Sequence, residues 1–279
     1  MLQSARAFAR RLVAATAIAG LSLSAALPAR ADDVERQIGA QVYAQLQQKG
    51  EIIMSSPWYR VLNPIAQRIA RVANPQYDYP FHFILVHERQ PNAFAVPGGN
   101  VYVTDSLMSF VQNEQELAGV LCHETSHTIH HDVVNLNRKN QNLQIGATVL
   151  SILLGGGRSG IVNGVLNVAG SLESLNFSRA VESAADKKGA YTCAAAGYNP
   201  YGLVWLFQNF EKADTGGTME MLSDHPTDQH RIDDLVRLFK SDPATFGRFS
   251  NNINEATPLP KLSTLQAEGP IGPLPGFQT

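Results

Sequence analysis

The sequence predicts one α+β domain that is mostly helical and contains a single small β-sheet. Apolar residues recur at helical spacing in most segments, whereas only three short runs between residues 81 and 104 are rich in β-prone residues. A chain of 279 residues that is 44% hydrophobic can bury one sizeable core but not two large ones. We therefore expect one principal domain, residues 32–242, between two terminal segments.

The first part of this domain is predicted to be helical. Residues 33–48 and 58–73 carry apolar side chains at helical spacing, and Ile65 and Ile69 lie on one stripe of the second segment. Pro75 ends this second helix, because proline has no N–H for the helical hydrogen bond.

The predicted sheet follows these helices. Residues 81–86, 93–96 and 101–104 are the β-prone runs, and Pro97-Gly98-Gly99 provides a turn between the last two. Short strands joined by a tight turn favour a small antiparallel sheet.

A longer helix is predicted from Asn113 to about Asp132. Asn113 is a suitable N-cap residue, and Glu116, three positions later, completes a capping box. Apolar spacing predicts three further helices. They cover about residues 172–196, 201–210 and 229–239.

Two segments of unusual composition interrupt or follow these helices. Residues 143–168 are apolar, and Gly155-Gly156-Gly157 divides them into stretches that are each too short to span a bilayer. They fit either two buried core helices or a flap near the cleft. Contact with a membrane surface is expected through residues 143–170. Residues 243–279 are rich in Pro, Asn and Gly, which predicts an extended tail.

Residues 1–31 have the features of an export signal. Three arginines precede the apolar run 12–27, and Ala29-Arg30-Ala31 fits a small-x-small cleavage site. An uncleaved membrane anchor is the alternative, but the run is short and Ala-rich. We expect cleavage after Ala31 and a periplasmic protein. Its Lys and Arg then number 18 against 24 acids, a net charge of about −6 that gives no support to nucleic-acid binding.

Cys122 and Cys193 are the only cysteines. In an oxidising compartment the pair could form a disulfide, and a buried free thiol at Cys122 is equally compatible with the sequence.

The strongest chemical motif is His123-Glu124-Thr125-Ser126-His127. Four residues advance a helix by slightly more than one turn, so both imidazoles project from one face and can share a metal ion. Glu124 lies one position further round, where its carboxylate can act as a general base without being a ligand. Zinc is the expected ion. Two surface histidines on a solvated helix are the alternative, and a third ligand would exclude it.

The third ligand is predicted on the helix at about residues 172–196. Glu182 and Asp186 lie four residues apart on one face of it, and two His plus one Glu is a known zinc ligand set with an open fourth position. Glu182 is the predicted ligand. Asp186 is predicted to accept the outer ring N–H of a ligand histidine and so to fix its tautomer.

The sequence resembles the HtpX and CAAX-prenyl endopeptidase family of gluzincin metallopeptidases, most closely its soluble periplasmic branch of LoiP-like and BepA-like proteases. Four blocks between about residues 35 and 240 carry the resemblance. They are residues 92–99, residues 116–127, residues 182–186 with Gly189, and His225-Pro226 with Arg231. Unlike BepA-like members, this sequence shows no C-terminal helical-repeat array.

The resemblance implies a zincin-like metalloprotease domain in which the motif helix packs on the second ligand-bearing helix. One zinc ion per chain would be held by His123, His127 and Glu182, with Glu124 as the base and Asp186 orienting a ligand. The resemblance also places His225 and Arg231 near the cleft. His225 would stabilise the oxyanion or bind zinc as a fourth ligand in a resting state. Arg231 would pair with an acid such as Asp186 or with the substrate backbone.

The expected function is therefore zinc-dependent hydrolysis of unfolded or misassembled exported proteins in envelope quality control. A substrate strand is expected to pair with the sheet edge at Asn100, Val101, Tyr102 and Val103. The alternatives are a zinc-containing chaperone or binding module with little proteolysis, and a cytoplasmic deformylase with a cysteine ligand, which conflicts with the export signal. The sequence leaves the oligomeric state open.

Overall fold

The computed structural model describes residues 31–139, 177–213, 225 and 229–275. Within these ranges the chain forms ten α-helices, two 3-10 turns and three β-strands, which confirms the predicted, mostly helical fold with one small sheet. The predicted export signal, apart from Ala31, and the apolar segment 143–168 lie outside the described residues. None of the helices in the described ranges combines the length and the apolar character needed to cross a bilayer.

The elements follow one another in three groups. Helices α1 (Ala31–Lys49) and α2 (Tyr59–Ala73) precede strands β1 (His82–Val86), β2 (Ala93–Val96) and β3 (Asn100–Thr104). Helices α3 (Asp105–Phe110), α4 (Glu114–Ile129) and α5 (Asp132–Lys139) follow the sheet. The last group is α6 (Arg179–Ala196), α7 (Tyr201–Ala213), α8 (Gln229–Ser241), α9 (Pro243–Phe246) and α10 (Leu262–Ala267).

The sheet has the order β1-β3-β2 and is mixed. Strands β2 and β3 form the predicted antiparallel hairpin, whose turn uses Gly98 and Gly99 at φ 94° and 95°. Strand β1 pairs parallel with β3, from His82 opposite Asn100 to Val86 opposite Thr104. Strand β1 joins the edge of β3 that β2 leaves free, so β3 is the central strand and the prediction of a wholly antiparallel sheet is wrong for β1.

Helix α4 lies at the centre of the domain, packed against α2, α6, α7 and the sheet. The predicted N-cap is confirmed, since Asn113 Oδ1 accepts the Glu116 N–H at 2.9 Å. Glu116 reaches back as a capping-box residue does, but it accepts the N–H of Gln112, one residue before the N-cap, at 2.8 Å. The helix ends at Ile129, earlier than predicted, because His131 adopts a left-handed conformation (φ 54°). Asp132 then begins α5 in a new direction.

Close backbone approach fixes α4 against its neighbours. A side chain at Gly189 of α6 would bring its Cβ to 3.1 Å from the carbonyl of Cys122, and a side chain at Gly202 of α7 would collide with the carbonyl oxygen of Gln115. Cys122 and Cys193 form a disulfide between α4 and α6, with Cα atoms 5.8 Å apart. Of the two alternatives for these cysteines, the structure therefore contains the disulfide.

The C-terminal part of the chain packs on the domain, on α6 and α8 near Phe246 and on α2 further along, so the predicted extended tail is wrong for residues 243–275. The Arg60 Nε donates to the Gly269 carbonyl at 2.8 Å, and the Asn63 Nδ2 donates to the Gly272 carbonyl at 2.9 Å. Helices α9 and α10 contribute the buried side chains of Phe246 and Leu265. Contacts with α2, α6 and α8 therefore hold this segment against the domain.

Candidate metal centre

Four buried side chains converge where α4, α6 and the segment at residue 225 meet. They are His123, His127, Glu182 and His225, and each offers one ligand atom within 4.8 Å of the others. The two Nε2 atoms of His123 and His127 are 3.0 Å apart. The Nδ1 of His225 lies 3.4 Å from the His123 Nε2 and 3.1 Å from a carboxylate oxygen of Glu182.

Helical geometry produces half of this cluster. His123 and His127 are one turn apart on α4, so their rings meet edge to face with centroids 4.7 Å apart. Glu182 enters from the first turn of α6, 3.5 Å from the His123 Nε2 and 3.6 Å from the His127 Nε2. The structure thus brings together the three residues that the sequence predicts as zinc ligands.

Asp186 and Arg231 support the His123 side of the cluster. Asp186 Oδ1 lies 3.0 Å from the His123 Nδ1, although the N–H direction is not aligned for a linear hydrogen bond. The Arg231 guanidinium on α8 donates twice to Asp186, at 2.8 and 2.7 Å, and lies 2.9 Å from Glu182. It also donates to the backbone carbonyl of His225 at 3.3 Å. Of the two roles considered for Arg231, the structure contains the pairing with Asp186.

Two residues that sequence reasoning missed support His127. Its Nδ1 lies 2.9 Å from Asp132 Oδ2, and the ring of Phe177 stacks on the imidazole with centroids 4.6 Å apart. Asp132 lies at the right place only because the chain turns at His131, and the spacing along a regular helix gives no sign of this. No sequence pattern marks Phe177.

The donor set fits a bound cation. Both histidines place their Nδ1 atoms beside carboxylates, and this arrangement favours the tautomer that leaves Nε2 available to bind an ion. The two Nε2 atoms are 3.0 Å apart, so a single ion can contact both. Burial disfavours charge on His123, yet Asp186 and Glu182 raise the pKa of its imidazole to about 10. The cluster therefore stabilises positive charge, as a zinc site requires.

The carboxylates of the cluster are held in their charged forms. Burial opposes ionisation of Glu182, but the charges of His225 and His123 lower its pKa well below the usual range. Burial likewise opposes ionisation of Asp186, and the Arg231 guanidinium outweighs it and lowers the pKa of that carboxyl. Both acids can therefore balance the charge of a divalent ion.

Glu124 lies beside the cluster without joining it. Its Oε2 accepts the backbone N–H of Ala95 at 3.0 Å, while its Oε1 is buried without a hydrogen-bond partner among the described residues. This free oxygen lies 3.6 Å from the His225 Nε2. Burial raises the pKa of the Glu124 carboxyl, which brings it closer to the range in which a carboxylate accepts a proton effectively near neutral pH.

The prediction that Asn100, Val101, Tyr102 and Val103 bind substrate along a sheet edge is wrong. These residues form β3, which is paired with β1 on one side and β2 on the other, so its backbone has no free edge. Among the strands of the described ranges, β2 is the edge strand nearest the cluster, as the contact from Ala95 to Glu124 indicates. The misassignment arose because a sequence gives strand positions but not the order of strands in a sheet.

A helix that carries His-Glu-x-x-His, packed on a second helix that supplies Glu and Asp, defines the gluzincin class of zinc metallopeptidases. The chain belongs to peptidase family M48, whose family model matches residues 59–238. This match confirms the predicted enzyme class and the expected zinc dependence.

Similar proteins include proteases of bacteria and mitochondria. The beta-barrel assembly-enhancing protease of Yersinia pestis is 27% identical over 212 residues, 72% of this chain and 43% of that protein. The protein of the same name in Escherichia coli K12 is 24% identical over 253 residues, 81% and 51% of the two chains. The mitochondrial metalloendopeptidase OMA1 of Schizosaccharomyces pombe is 26% identical over 213 residues, which cover 72% of this chain and 59% of that protein. The chain spans about half the length of these relatives, and the similarities confirm the predicted BepA-like resemblance.

Proposed function

We propose that this protein is a zinc-dependent endopeptidase of the cell envelope that hydrolyses unfolded or misassembled exported proteins. The observation that carries the proposal is the free, buried carboxylate oxygen of Glu124 beside a three-ligand cluster of His123, His127 and Glu182. A carboxylate in this position is needed for hydrolysis and has no use in simple metal storage. The predicted export signal and the names of the bacterial relatives support an envelope location and a part in quality control.

When bound, zinc would act as a Lewis acid that lowers the pKa of water and polarises a peptide carbonyl. Glu124 takes the proton from the attacking water and passes it to the leaving amine. The Ala95 N–H holds the other oxygen of this carboxylate, so Oε1 stays directed towards the reaction centre. Arg231 pairs with both Glu182 and Asp186 and so ties α6, the helix of these two acids, to α8.

A substrate strand is proposed to run along the outer edge of β2. The Thr104 N–H donates to the Asn92 carbonyl at 3.0 Å, so alternation along the hairpin turns the backbone groups of Ala93 and Ala95 away from β3. Their outward carbonyls can pair with the main chain of an extended peptide. Recognition through main-chain bonds gives a loose side-chain preference, which suits unfolded proteins.

Cleavage of casein and of an unfolded outer-membrane protein tests this function directly. In protein purified after export, Glu124→Gln should retain one zinc per chain but lose activity by about 10²- to 10⁴-fold, because the general base is gone. Glu88→Gln, at an exposed surface position, is the matched control and should cleave normally. Wild-type activity in Glu124→Gln would exclude Glu124 as the base. Zinc-loaded wild type that never cleaves would contradict the proposed function.

The position of His225 favours a second candidate, a resting enzyme or binding module. Its Nδ1 points into the cluster at 3.4 Å from the His123 Nε2, where it can bind zinc as a fourth ligand. A fourth protein ligand would occupy the open position that catalysis needs. If His225→Ala cleaves faster than wild type, His225 limits the enzyme. If neither protein cleaves while both bind zinc and unfolded proteins, the binding-module function replaces the protease.

A further inference from the structure

His127 is held from outside the cluster by a carboxylate next to the end of its own helix. Its Nδ1 lies 2.9 Å from Asp132 Oδ2, while its Nε2 faces the cluster. An imidazole that donates its Nδ1 proton to a carboxylate presents an unprotonated Nε2 to a metal ion. We propose that Asp132 is a positioning residue for zinc, which fixes the tautomer and the ring orientation of His127. The inference rests on the zinc site formed by His123, His127 and Glu182.

The contact depends on a break in the helix. On an uninterrupted α-helix, residues five apart differ by roughly 140° around the axis, so Asp132 would point away from His127. Helix α4 instead ends at Ile129, and His131 takes φ 54°, which turns the chain before Asp132 begins α5. The turn therefore converts a residue on the wrong face into a neighbour of the metal ligand.

Contacts with α1 and with the β2–β3 turn hold this break in place. The His131 Nδ1 lies 2.7 Å from a carboxylate oxygen of Glu35, a buried residue of α1. The other oxygen of Glu35 accepts from the Tyr77 hydroxyl, which itself accepts the Gly98 N–H at 2.9 Å. A residue other than glycine keeps a positive φ only where its surroundings stabilise that conformation. These contacts explain why the chain turns at His131 and why Asp132 stays in position.

One face of the His127 imidazole is covered as well. The Phe177 ring stacks on His127 at an interplanar angle of 15°, so the imidazole cannot rotate freely about its side-chain bonds. The Asp132 side chain is only 11% exposed, which protects its contact with His127 from water. His130 lies near the same carboxylate oxygen, at 3.9 Å, but its more exposed ring does not reach the cluster. Orientation of His127 is thus the role that the geometry assigns to Asp132.

Zinc affinity, measured by competition with a chelating dye in the full chain purified after export, tests the inference separately from cleavage. Asp132→Ala should bind zinc about 10- to 100-fold more weakly than wild type, because the ligand loses its orienting partner. Asp132→Asn keeps an acceptor oxygen without the charge and should give an intermediate loss. Asp105→Asn is the matched control, since it removes the carboxylate of an exposed Asp–His pair, 2.7 Å from His87. Its zinc affinity should stay at the wild-type value.

Two further measurements separate positioning from folding. Replacement of zinc by cobalt should give an absorption spectrum that shifts in the Asp132 variants and not in Asp105→Asn, because the spectrum reports ligand geometry. Thermal unfolding of the zinc-free proteins shows whether each variant folds. If Asp132→Ala does not fold, the zinc affinity and cobalt spectrum of Asp132→Asn test the inference. Wild-type zinc affinity and an unshifted cobalt spectrum in a folded Asp132 variant would overturn the inference alone. Failure of the wild type to bind zinc would overturn the zinc site together with it.

Discussion

The two histidines of the motif are supported in different ways. His123 faces Asp186, a buried acid from another helix that Arg231 clamps with two hydrogen bonds. His127 faces Asp132, a less buried acid only five residues along the chain, held in place by a turn. The His123 support is a long-range cluster of charges, and the His127 support is a local hydrogen bond that a backbone conformation creates.

This difference predicts how each side of the centre fails. A buried charge cluster loses stability as a unit when one member is removed, because the remaining charges are left without partners. A local hydrogen bond at a turn affects mainly the ligand that it orients. Damage to the His123 side should therefore reduce both stability and zinc binding, whereas damage to the His127 side should reduce zinc binding with a smaller loss of stability.

Arg231→Ala should have the largest effect. It leaves Asp186 and Glu182 as buried acids without their cation and should lower the free energy of unfolding by about 3–5 kcal/mol. Urea unfolding of the zinc-free protein measures this loss. Arg237→Ala on the same helix removes an exposed pair with Asp234 and should cost less than about 1 kcal/mol. Equal, small losses in the two variants would show that the His123 side is not an interdependent cluster.

Replacement of both cysteines by serine should have the second largest effect on stability. The disulfide closes a loop with a sequence separation of 71 residues and joins α4 to the helix that carries Asp186. Its removal should lower the free energy of unfolding by roughly 4 kcal/mol in the chain-entropy account. Urea unfolding of the Cys122→Ser/Cys193→Ser variant, compared with oxidised wild type, gives the value. Unchanged stability would mean that helix packing alone holds the two ligand helices together.

Tyr77→Phe should have the smallest effect, and on the other side of the centre. It removes the hydroxyl that donates to Glu35 and accepts the Gly98 N–H, with an expected loss of about 1 kcal/mol. The looser turn at His131 should also weaken zinc binding slightly, which dye competition would detect. Tyr191→Phe removes a surface hydrogen bond to Asp242 and should leave zinc affinity unchanged. Identical zinc affinities in the two variants would show that the Tyr77 hydrogen bonds do not affect zinc binding by His127.

Features set by local spacing could be predicted from the sequence. The N-cap at Asn113 and the placement of His123 and His127 on one helix face depend only on helix geometry. The order of the strands and the path of the C-terminal segment depend on contacts between distant residues, so these predictions failed. Asp132 was missed for a different reason, since its role depends on a left-handed residue that carries a side chain and lies inside an apparently continuous helical pattern.

The glycine contacts around α4 determine which parts of the centre can adjust. Because the backbones of α6 and α7 touch α4 at Gly189 and Gly202, the motif helix cannot slide or tilt without separating its neighbours. Helix α4 therefore keeps a fixed position relative to α6 and α7. Metals of different size, or substrates of different bulk, would have to be accommodated by rotation of side chains at the site and not by movement of α4.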